Sequence, residues 1–427
     1  MTANPHFMSR NSWLKPDKES DFSIYNIPFG IGKLPDNSVV ALSRIGDLVI
    51  NLAALQQDGY FKGIDADLTR VFREPVLNNF IDLGKSVTNK VRERIQDLLD
   101  ESNTEIQDKQ AFQSKYMLGY KAVKMMMPLK VSDYTDFYSS IEHASNVGSM
   151  FRDPSNSLLP NWRHLPVAYH GRASSIVVSG HKIHRPHGQI LPQDADTPVF
   201  SATKMLDFEL EMAFVVGKST ELGSSVKTVD AEKYIFGFLL FNDLSARDIQ
   251  SWEYVPLGPF LSKNFGSVVS PWIVTMEALE SFRTAGPVQQ PVVMDYLKSE
   301  GLHSFDINLE VSIKPEGADA SVVSRSNYKY LYWNICQQLA HHTVNGCNIN
   351  TGDLCASGTI SGPTPDSYGS MLELSWRGKN PVKVGAVERT FIEDNDSIIL
   401  RGYGSKEGVR VGFGVCETTI LPAKTNA

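Results

Sequence analysis

Apolar and polar residues alternate, or apolar residues form short runs, over most of this chain. Positions 305–313 show the clearest alternation, which predicts a strand with one face towards water. Apolar residues at 398–400 and 409–415 predict two late strands joined by a glycine-containing turn. Many short strand signals of this kind, with few helical ones, favour a mainly β roll or sandwich over a doubly wound α/β fold.

Helical spacing is confined to a few segments. Ser86 has the character of a helix N-cap, and the apolar positions between 87 and 99 repeat as they do on one face of a helix. A second helix is predicted around 331–342, ending near Gly346. The sequence therefore predicts helices as minor additions to a β framework.

The first third of the chain differs in character from the rest. Residues 1–20 are polar and predict a loose arm, whereas residues 22–80 mix short apolar runs with glycine and proline, as short strands of a small barrel do. A change of character at 125–128 predicts a domain boundary there. We expect an N-terminal domain over 1–128 and a second domain over 129–427.

The segment 207–216 carries acidic residues on one face of a predicted strand. Glu209 and Glu211 share that face with Ala213 and Val215, so the strand is expected to be covered on both sides. Two buried glutamates about 5 Å apart repel by roughly 3 kcal/mol at an effective dielectric near 20. A divalent cation would reverse that energy, and oxygen ligands suit Mg²⁺ or Ca²⁺. A solvated strand face, or pairing with lysine or arginine, is the alternative.

Further polar groups follow an apolar run at 236–241. Asp243 is predicted at the end of a strand, and Ser245 with Asp248 has the spacing of a capping box that starts a helix. Arg247, Gln250 and Tyr254 would then share one helix face, an arrangement that suits a small carboxylic acid. The same spacing also fits the alternative, an ordinary amphipathic helix whose polar stripe faces water.

The segment that begins near Asp133 carries further candidate catalytic residues. A helix beginning near Asp133 would place Asp136 and His143 on one surface, together with Ser139 and Asn146, where a neutral imidazole could act as a general base. The alternative without a catalytic role is that Asp136 completes a capping box with Asp133 and that His143 is a surface histidine.

Lone charges in apolar surroundings add to these candidates. Glu373 is the only charge in a strand-like stretch over 370–376, and a buried carboxylate needs a partner, either a lysine or a histidine. Lys263 is a similar lone charge at 260–266.

Composition restricts the function further. The net charge of −7 and pI of about 5.8 do not favour nucleic acid or anionic membrane as partners. No apolar run reaches membrane-spanning length, the N-terminus lacks a signal-peptide core, and the C-terminus carries no targeting signal that we recognise, so we expect a cytoplasmic protein. The four cysteines show no CxxC spacing, which predicts reduced buried thiols. His181, His184 and His187 resemble a metal tract, but the neighbouring Lys182 and Arg185 favour a surface loop.

Together these segments resemble the fumarylacetoacetase family of hydrolases, over almost the whole chain. The runs that carry the resemblance are SDYTDFYSS at 132–140, LPNWRHLPVAYHGRASSIVVSG at 159–180, KMLDFELEMAFVVG at 204–217, FNDLSARDIQSWEYVPLGPFLSKNFG at 241–266, HHTVNGCNINTGDLCASGTISGP at 341–363 and GSMLELSW at 369–376. The resemblance implies an N-terminal SH3-like barrel followed by a C-terminal mixed β-sandwich roll, assembled as a homodimer. It also implies hydrolysis of 4-fumarylacetoacetate to fumarate and acetoacetate, the last step of tyrosine and phenylalanine breakdown.

The resemblance assigns roles to residues of this chain. His143 with Glu373 would activate water, and Lys263, Arg247 and Gln250 would stabilise the oxyanion and the substrate. The implied ligands of a Ca²⁺ or Mg²⁺ ion are Asp136, Glu209, Glu211 and Asp243. The implied substrate contacts are Tyr138, Arg152, Tyr169, Arg247, Gln250, Tyr254 and Thr359. A second cation is implied beside Asp243, near the main chain of Lys263 and near Ser267, where the family is expected to have threonine.

Two other functions remain open at the sequence level. The nearest is another hydrolase or decarboxylase of the same superfamily, such as an acylpyruvate hydrolase, although the shorter members lack the N-terminal module that residues 1–128 resemble. The other is a metal-stabilised binding protein without activity, against which the presence of both His143 and Glu373 argues. The sequence does not choose between Mg²⁺ and Ca²⁺.

Overall fold

A computed structural model describes residues 10–425, and β-strands dominate it. Its first part contains β1 (Gly30–Lys33), β2 (Val39–Ile45), β3 (Leu48–Asn51), α1 (Leu52–Gln57), α2 (Leu68–Val71), α3 (Asn78–Asp82), α4 (Lys85–Leu99), α5 (Gln110–Tyr116), β4 (Met117–Gly119) and β5 (Lys124–Met126). The strands form one antiparallel sheet in the order β4-β3-β2-β1-β5. The predicted small sheet is present, but the segment 52–82 consists of three short helices and turns rather than strands. Asn51 starts the first of these helices by accepting a hydrogen bond from the backbone N–H of Ala54 (3.0 Å).

The remaining chain forms a larger β structure with few long helices. Its elements are β6 (Tyr134–Phe137), α6 (Ile141–Phe151), β7 (Ala168–His170), β8 (Ile176–Val178), β9 (Lys182–His184), β10 (His187–Ile190), β11 (Val199–Ala202), β12 (Leu206–Asp207), β13 (Leu210–Val216), β14 (Ile235–Asp243), β15 (Ser245–Ala246), α7 (Arg247–Glu253), β16 (Ser267–Val269), β17 (Val274–Thr275), β18 (Arg283–Thr284), β19 (Ser304–Phe305), β20 (Asn308–Lys314), β21 (Ser321–Asn327), α8 (Ile335–Thr343), β22 (Leu354–Ala356), α9 (Met371–Leu374), β23 (Val382–Val384), β24 (Val387–Arg389), β25 (Ser397–Lys406) and β26 (Val409–Leu421). Short 3₁₀ turns connect several of them.

Two sheets face each other in this larger part. One runs β7-β6-β22-β13-β14-β16-β8, with β17 added on β14, and the other runs β21-β20-β25-β26-β9. Leu210, Met212 and Phe214 of β13 belong to the core shared with the second sheet, which also contains Leu400 and Phe413. The architecture is therefore a mainly β roll built from two packed sheets, as the sequence predicts.

The opposite face of the first sheet packs against the N-terminal part. Ala213 and Val215 of β13 and Phe241 of β14 share a core with Phe29 and Phe80 of the first part. The strand β13 is therefore covered on both sides, as the alternation at 207–216 predicts. A sheet that is buried on both faces gives the acidic side chains near its end little access to water.

Several local predictions fail at the ends of elements. The helix α4 begins at Lys85 after Gly84, whose φ of +82° few other residues adopt, so Ser86 is not the N-cap. The part of the predicted loose arm that is described is ordered: Ser12 pairs with Asp100, and Trp13 donates its indole N–H to Leu98. Residues 1–9 of that arm lie outside the described part.

The predictions for the later elements are mostly confirmed. The strand predicted at 305–313 is found as β19 and β20, and the late strands are β25 and β26, with β26 longer than predicted. The helix α8 ends near Gly346, which has a φ of +89°. All four cysteines are free thiols, and three of them are buried. No helix within residues 10–425 is long and apolar enough to cross a membrane.

Candidate active site

Neighbouring strands bring four carboxylates together. Asp136 lies in β6, Glu211 in β13 and Asp243 at the end of β14, and Glu209 directly precedes β13. The strand β22 lies between β6 and β13 and pairs with both, which fixes the positions of Asp136 and Glu211 relative to each other. One oxygen from each of the four carboxylates lies within 4.8 Å of the others, and all four residues are buried.

The acidic cluster is not satisfied by the protein alone. One oxygen of Asp136 (Oδ1) and one of Glu211 (Oε1) are buried without a hydrogen-bond partner in the described residues. The other Glu211 oxygen accepts a hydrogen bond from the backbone N–H of Gly358 (3.0 Å). Burial and the neighbouring carboxylates hold the pKa of Asp136 and that of Glu211 well above their ordinary values. Oxygen donors with unused lone pairs fit a hard divalent cation such as Mg²⁺ or Ca²⁺.

Two basic side chains partly neutralise the negative charge of the acidic cluster. Lys263 Nζ lies 2.8 Å from Glu209 Oε2 and 2.9 Å from Asp243 Oδ2, and Arg247 Nη1 lies 2.8 Å from Glu209 Oε1. Burial opposes ionisation of Glu209, but Lys263 and Arg247 hold its pKa well below the ordinary value. The same acids raise the pKa of Lys263 despite its burial. Both interpretations of the acidic strand are therefore partly right: the glutamates are buried, and Glu209 is paired with a lysine and an arginine.

Asp243 accepts hydrogen bonds from two hydroxyl groups in addition to the one from the ammonium of Lys263. Ser267 Oγ donates to one carboxylate oxygen (2.7 Å), and the phenol of Tyr169 donates to the other (3.1 Å). Ser267 pairs with Asp243 across β16 and β14, so its hydroxyl reaches the carboxylate directly. A cavity of about 190 Å³ lies on this side of Asp243, bordered by Lys263, Ser267 and His170. The second cation site implied by the resemblance would lie here.

His143 and Glu373 form a buried pair. His143 Nδ1 lies 2.7 Å from Glu373 Oε2, and both side chains are almost completely excluded from water. Burial opposes ionisation of Glu373, but His143 and hydrogen bonds from Asn146 and Ser370 lower its pKa below the ordinary value. An ionised carboxylate only accepts hydrogen bonds, so Nδ1 carries a proton, and in the neutral imidazole Nε2 is then the acceptor.

The segment before His143 is not one helix, contrary to the sequence prediction. The residues 134–137 form β6, which is paired on both sides, and α6 begins only at Ile141. Ser140 caps that helix by accepting a hydrogen bond from the backbone N–H of His143 (3.1 Å). Tyr134 and Phe137 favour a strand, and the sheet pairing supplies the hydrogen bonds that the predicted helix would have made. Asp136 and His143 still meet at the site, but from different elements.

The segment around Glu373 also differs from its prediction. It is the short helix α9 rather than a strand, and Ser370 caps it by accepting from the backbone N–H of Glu373 (3.3 Å). The Ser370 hydroxyl also donates to Glu373 Oε2 (2.8 Å). Of the two partners that the sequence left open for this carboxylate, the histidine is the one found.

The predicted polar stripe on α7 exists. Arg247 Nη1 donates to Gln250 Oε1 (3.1 Å), and both residues and Tyr254 border the same cavity. The predicted capping box does not exist. Asp248 instead accepts from the backbone N–H of Lys204 (2.8 Å), and Ser245 donates to Glu209 (3.1 Å).

A cavity of about 460 Å³ joins these groups, a size typical of small-molecule sites. Its polar end carries Asp136, Glu209, Lys263, Arg247 and His143, and apolar side chains form much of the remaining wall. The main apolar contributors are Phe137, Val147, Phe151, Leu158, Leu159, Trp162 and Val167. A low-dielectric wall beside concentrated charge strengthens the electrostatic interactions inside the cavity.

The remaining candidate substrate contacts lie in or near this cavity. Tyr138, Tyr169 and Arg152 border it, and the ring of Tyr138 lies edge-on to that of His143 at 5.2 Å. Arg152 Nη2 donates to the backbone carbonyl of Ser157 (2.5 Å). Thr359 is buried and its hydroxyl has no partner in the described residues.

Sequence reasoning gave no role to three residues that support the site. Asn146 Nδ2 and Ser361 Oγ both donate to Glu373, each at 2.9 Å, and Asp207 accepts a hydrogen bond from Arg247 Nε (2.9 Å). Asn146 was predicted on the same helix face as His143, one helical turn after it, but its contact with Glu373 was not predicted. Ser361 gave no signal, and the contact of Asp207 with Arg247 was not visible, because spacing does not reveal contacts made across the fold.

The histidine tract is structured rather than a loop. His184 lies in β9 and His187 in β10, and His184 Nδ1 lies 2.8 Å from the carbonyl oxygen of Pro422. The parallel pairing of β9 with the end of β26 explains why this polar segment is extended. Neither cavity that borders the acidic cluster includes these histidines.

Comparison with known proteins identifies the class to which this fold and site belong. The family model for the fumarylacetoacetate (FAA) hydrolase C-terminal region matches residues 133–421, and the model for the fumarylacetoacetase N-terminal region matches residues 25–128. The chain therefore belongs to the fumarylacetoacetase family.

Individual relatives agree over nearly the full length. The chain is 51% identical to a fumarylacetoacetase of Dictyostelium discoideum, over 96% of this chain and 98% of that protein. It is 49% identical to one of Caenorhabditis elegans and 47% identical to one of Homo sapiens, each over 96% of this chain and 99% of the relative. A solved fumarylacetoacetate hydrolase of Exiguobacterium antarcticum has a similar fold, with a TM-score of 0.52 at 17% identity, covering 93% of this chain and 100% of that one.

Proposed function

We propose that this chain hydrolyses the carbon–carbon bond of 4-fumarylacetoacetate to give fumarate and acetoacetate, the last step of tyrosine and phenylalanine breakdown. The single observation that carries this proposal is the buried His143–Glu373 pair, whose imidazole borders the same cavity as Asp136 and Glu209 of the incompletely satisfied acidic cluster. The names of the relatives, and similarity over the whole chain, support the same substrate.

We propose that Asp136, Glu209, Glu211 and Asp243 hold a Ca²⁺ or Mg²⁺ ion. Their mutual distances and the unpartnered oxygens of Asp136 and Glu211 support this site. When bound, the cation supplies Lewis-acid chemistry that polarises diketo oxygens and stabilises enolate charge. We also propose a second cation beside Asp243, near the main chain of Lys263 and near Ser267, which would compete with the hydrogen bonds that Asp243 accepts from both side chains.

The water-activating step follows from the geometry of His143. Glu373 accepts a hydrogen bond from Nδ1–H, which leaves Nε2 to take a proton from water as the water oxygen attacks the ketone carbonyl of the fumaryl group. The bond to the acetoacetate portion then breaks, and that portion leaves as an enolate and is protonated. Glu373 stabilises the imidazolium that forms during the attack.

The cavity is also lined by positively charged side chains. We propose that Lys263, Arg247 and Gln250 stabilise the developing oxyanion and the substrate, and that Tyr138, Arg152, Tyr169, Tyr254 and Thr359 contact the substrate. Arg247 supports this role because its Nη2 is buried and has no partner in the described residues. Fixed donors of this kind lower the barrier because they do not have to reorganise during the reaction.

The test of the proposed function is a comparison of substrates. The wild-type protein should have a higher kcat/KM for authentic fumarylacetoacetate than for a shorter, singly charged acylpyruvate, with fumarate and acetoacetate as the measured products. A preference for the acylpyruvate would support the rival hydrolase of the same superfamily. An absence of turnover with either substrate would favour a metal-stabilised binding protein.

Assembly and location are further proposals. We propose a homodimer, because large apolar side chains at the end of α7 and in the loop after it, including Leu257 and Phe260, are exposed. Light scattering of wild type and Leu257→Glu would test whether this surface forms the interface. Four free thiols support the cytoplasm, where fractionation should find the protein. A domain boundary near 128 is best tested by limited proteolysis.

A further inference from the structure

A buried aspartate outside the acidic cluster connects two parts of the site. Asp207 is completely buried at the end of β12, and its carboxylate accepts three hydrogen bonds. Two come from the backbone N–H groups of Met371 (2.7 Å) and Leu372 (3.0 Å), the first residues of α9. The third comes from Arg247 Nε at 2.9 Å.

Each of these contacts leads to a group that the proposed reaction uses. The helix α9 carries Glu373, which lies two residues after Met371 and holds the imidazole of His143. On the other side, Arg247 reaches Glu209 and Gln250 from the same guanidinium that Asp207 fixes. Asp207 is therefore the carboxylate that links the water-activating pair to the positively charged wall.

We propose that Asp207 is a positioning residue, which holds Arg247 and the Glu373 helix in fixed places relative to each other. The proposal rests on the proposed function. A carboxylate suits this place because two oxygens with four lone pairs accept all three donors at once. An asparagine has only one acceptor oxygen, and its NH₂ group would face at least one of the donors. Loss of the carboxylate should therefore affect the positions of both Arg247 and α9.

Replacement of Asp207 by asparagine should separate this role from a general loss of stability. We expect Asp207→Asn to lower kcat about ten- to a hundredfold through Glu373 and to raise KM for fumarylacetoacetate about tenfold through Arg247. A residue that only stabilised the fold would reduce the melting temperature and the fraction of active protein. It would leave the KM of the folded molecules unchanged.

Double variants sharpen this test. In an Arg247→Ala background, Asp207→Asn should raise KM no further while it still lowers kcat. In a Glu373→Gln background, it should raise KM while it lowers kcat much less than it does in wild type. Strict additivity in both backgrounds would overturn the proposal, because independent sites add whereas coupled sites do not.

Asp396 offers a matched control. It is also completely buried, it accepts two hydrogen bonds from Arg389 (2.8 and 3.1 Å) and one from the backbone N–H of Glu393 (2.9 Å), and it borders neither cavity of the site. Asp396→Asn should lower the melting temperature but leave the kcat and KM of the folded protein unchanged. Equal kinetic losses in Asp207→Asn and Asp396→Asn would contradict a specific role for Asp207.

Wild-type turnover, measured in the same assay, keeps the two proposals apart. If wild type hydrolyses fumarylacetoacetate and folded Asp207→Asn matches its kcat and KM, the positioning role fails while the proposed function stands. If Asp207→Asn does not fold, Asp207→Glu retains the charge but displaces it by one methylene group. Wild-type kinetics in folded Asp207→Glu would then overturn the proposal.

Discussion

Two clusters of acidic and basic side chains in this protein have similar residue types, but they differ in how completely their carboxylate oxygens are paired. The active-site cluster joins four carboxylates to Lys263 and Arg247, and two of its carboxylate oxygens have no partner in the described residues. The second cluster joins Glu232 to Arg283, His303 and Cys336, and its carboxylate is saturated. Both groups have the composition of a metal site.

The second cluster shows what a satisfied arrangement looks like. Arg283 binds both oxygens of Glu232 at 2.8 Å, and His303 Nδ1 lies 2.7 Å from Glu232 Oε1. The other ring nitrogen of His303 lies 2.7 Å from the carbonyl oxygen of Glu300. A cation placed there would have to compete with a bidentate guanidinium. Residue type alone therefore does not identify a site; buried charge that is left incompletely paired next to a cavity does.

The largest expected difference between the clusters lies in turnover. His143→Ala should lower kcat for fumarylacetoacetate by about 10²-fold or more, because the general base is lost, and Glu373→Gln should have a similar effect. Both variants should retain the cation content of wild type. His303→Ala, in the second cluster, should leave kcat unchanged. Near-normal turnover in either His143→Ala or Glu373→Gln would show that the pair does not activate water.

The next difference concerns arginines. No carboxylate within residues 10–425 forms an ion pair with Arg152, whereas Arg283 is held by two acids. Loss of a charge-assisted contact to a substrate carboxylate costs about 1.5–3 kcal/mol, so Arg152→Ala should raise KM for fumarylacetoacetate about ten- to a hundredfold. The rise should be far smaller for a singly charged acylpyruvate.

Arg283 supplies the control for the Arg152 experiment. Arg283→Ala should leave both Michaelis constants unchanged and lower the melting temperature. A KM increase of equal size for the two substrates in Arg152→Ala would remove Arg152 from recognition of the second carboxylate.

A smaller effect is expected in stability. In cation-free protein, Glu211→Gln should be no less stable than wild type, because it reduces the negative charge of a crowded cluster and keeps an oxygen for the Gly358 N–H. Glu232→Gln should be less stable by about 1–3 kcal/mol, since it removes the carboxylate charge that Arg283 and His303 share. Denaturant unfolding of metal-free samples measures both. A large loss in Glu211→Gln alone would reverse the comparison.

The smallest expected effect is a pH dependence specific to the second cluster. Contacts with Cys336 and Glu232 raise the pKa of His303 to about 10, and despite burial the pKa of Glu232 is lowered to about 2 by His303 and Arg283. The His303 contribution to stability should be complete below pH 6.5 and decline as the pH rises towards about 10. The Glu232 contribution should be complete above about pH 4.5 and decline as the pH falls towards about 2.

Unfolding of wild type and His303→Gln across this pH range checks the histidine. The stability difference between them should shrink from pH 7 to pH 10. A difference that stays constant would mean that His303 is not held as an imidazolium.

The sequence predicted the strands of this protein better than the contacts between them. Alternation at 305–313 and 207–216 directly reflects burial, so both strands were found, and the buried glutamates with them. The helix from Asp133 and the strand around Glu373 were wrong because sheet pairing and a serine cap decide those segments, and neither is visible as periodicity. The role of Asp207 was not predicted for the same reason: its partners are remote in sequence.

The long sequence segments that resemble the family, rather than periodicity, indicated that the candidate residues belong to one site. Spacing alone placed Asp136 and His143 on one helix, and the structure brings them together from β6 and α6 instead. Arg247, Gln250 and Tyr254 were grouped correctly because one helix does carry Arg247 and Gln250 and ends next to Tyr254. Local periodicity is therefore informative within an element, and resemblance is needed between elements.

The most direct test of this account is the turnover of fumarylacetoacetate by protein stripped of metal with EDTA, with elemental analysis to confirm the removal. We expect no formation of fumarate and acetoacetate and a lower melting temperature in the stripped protein. Addition of Mg²⁺ or Ca²⁺ should restore both, because a cation relieves the repulsion among Asp136, Glu209, Glu211 and Asp243. Full activity in verified metal-free protein would contradict the account.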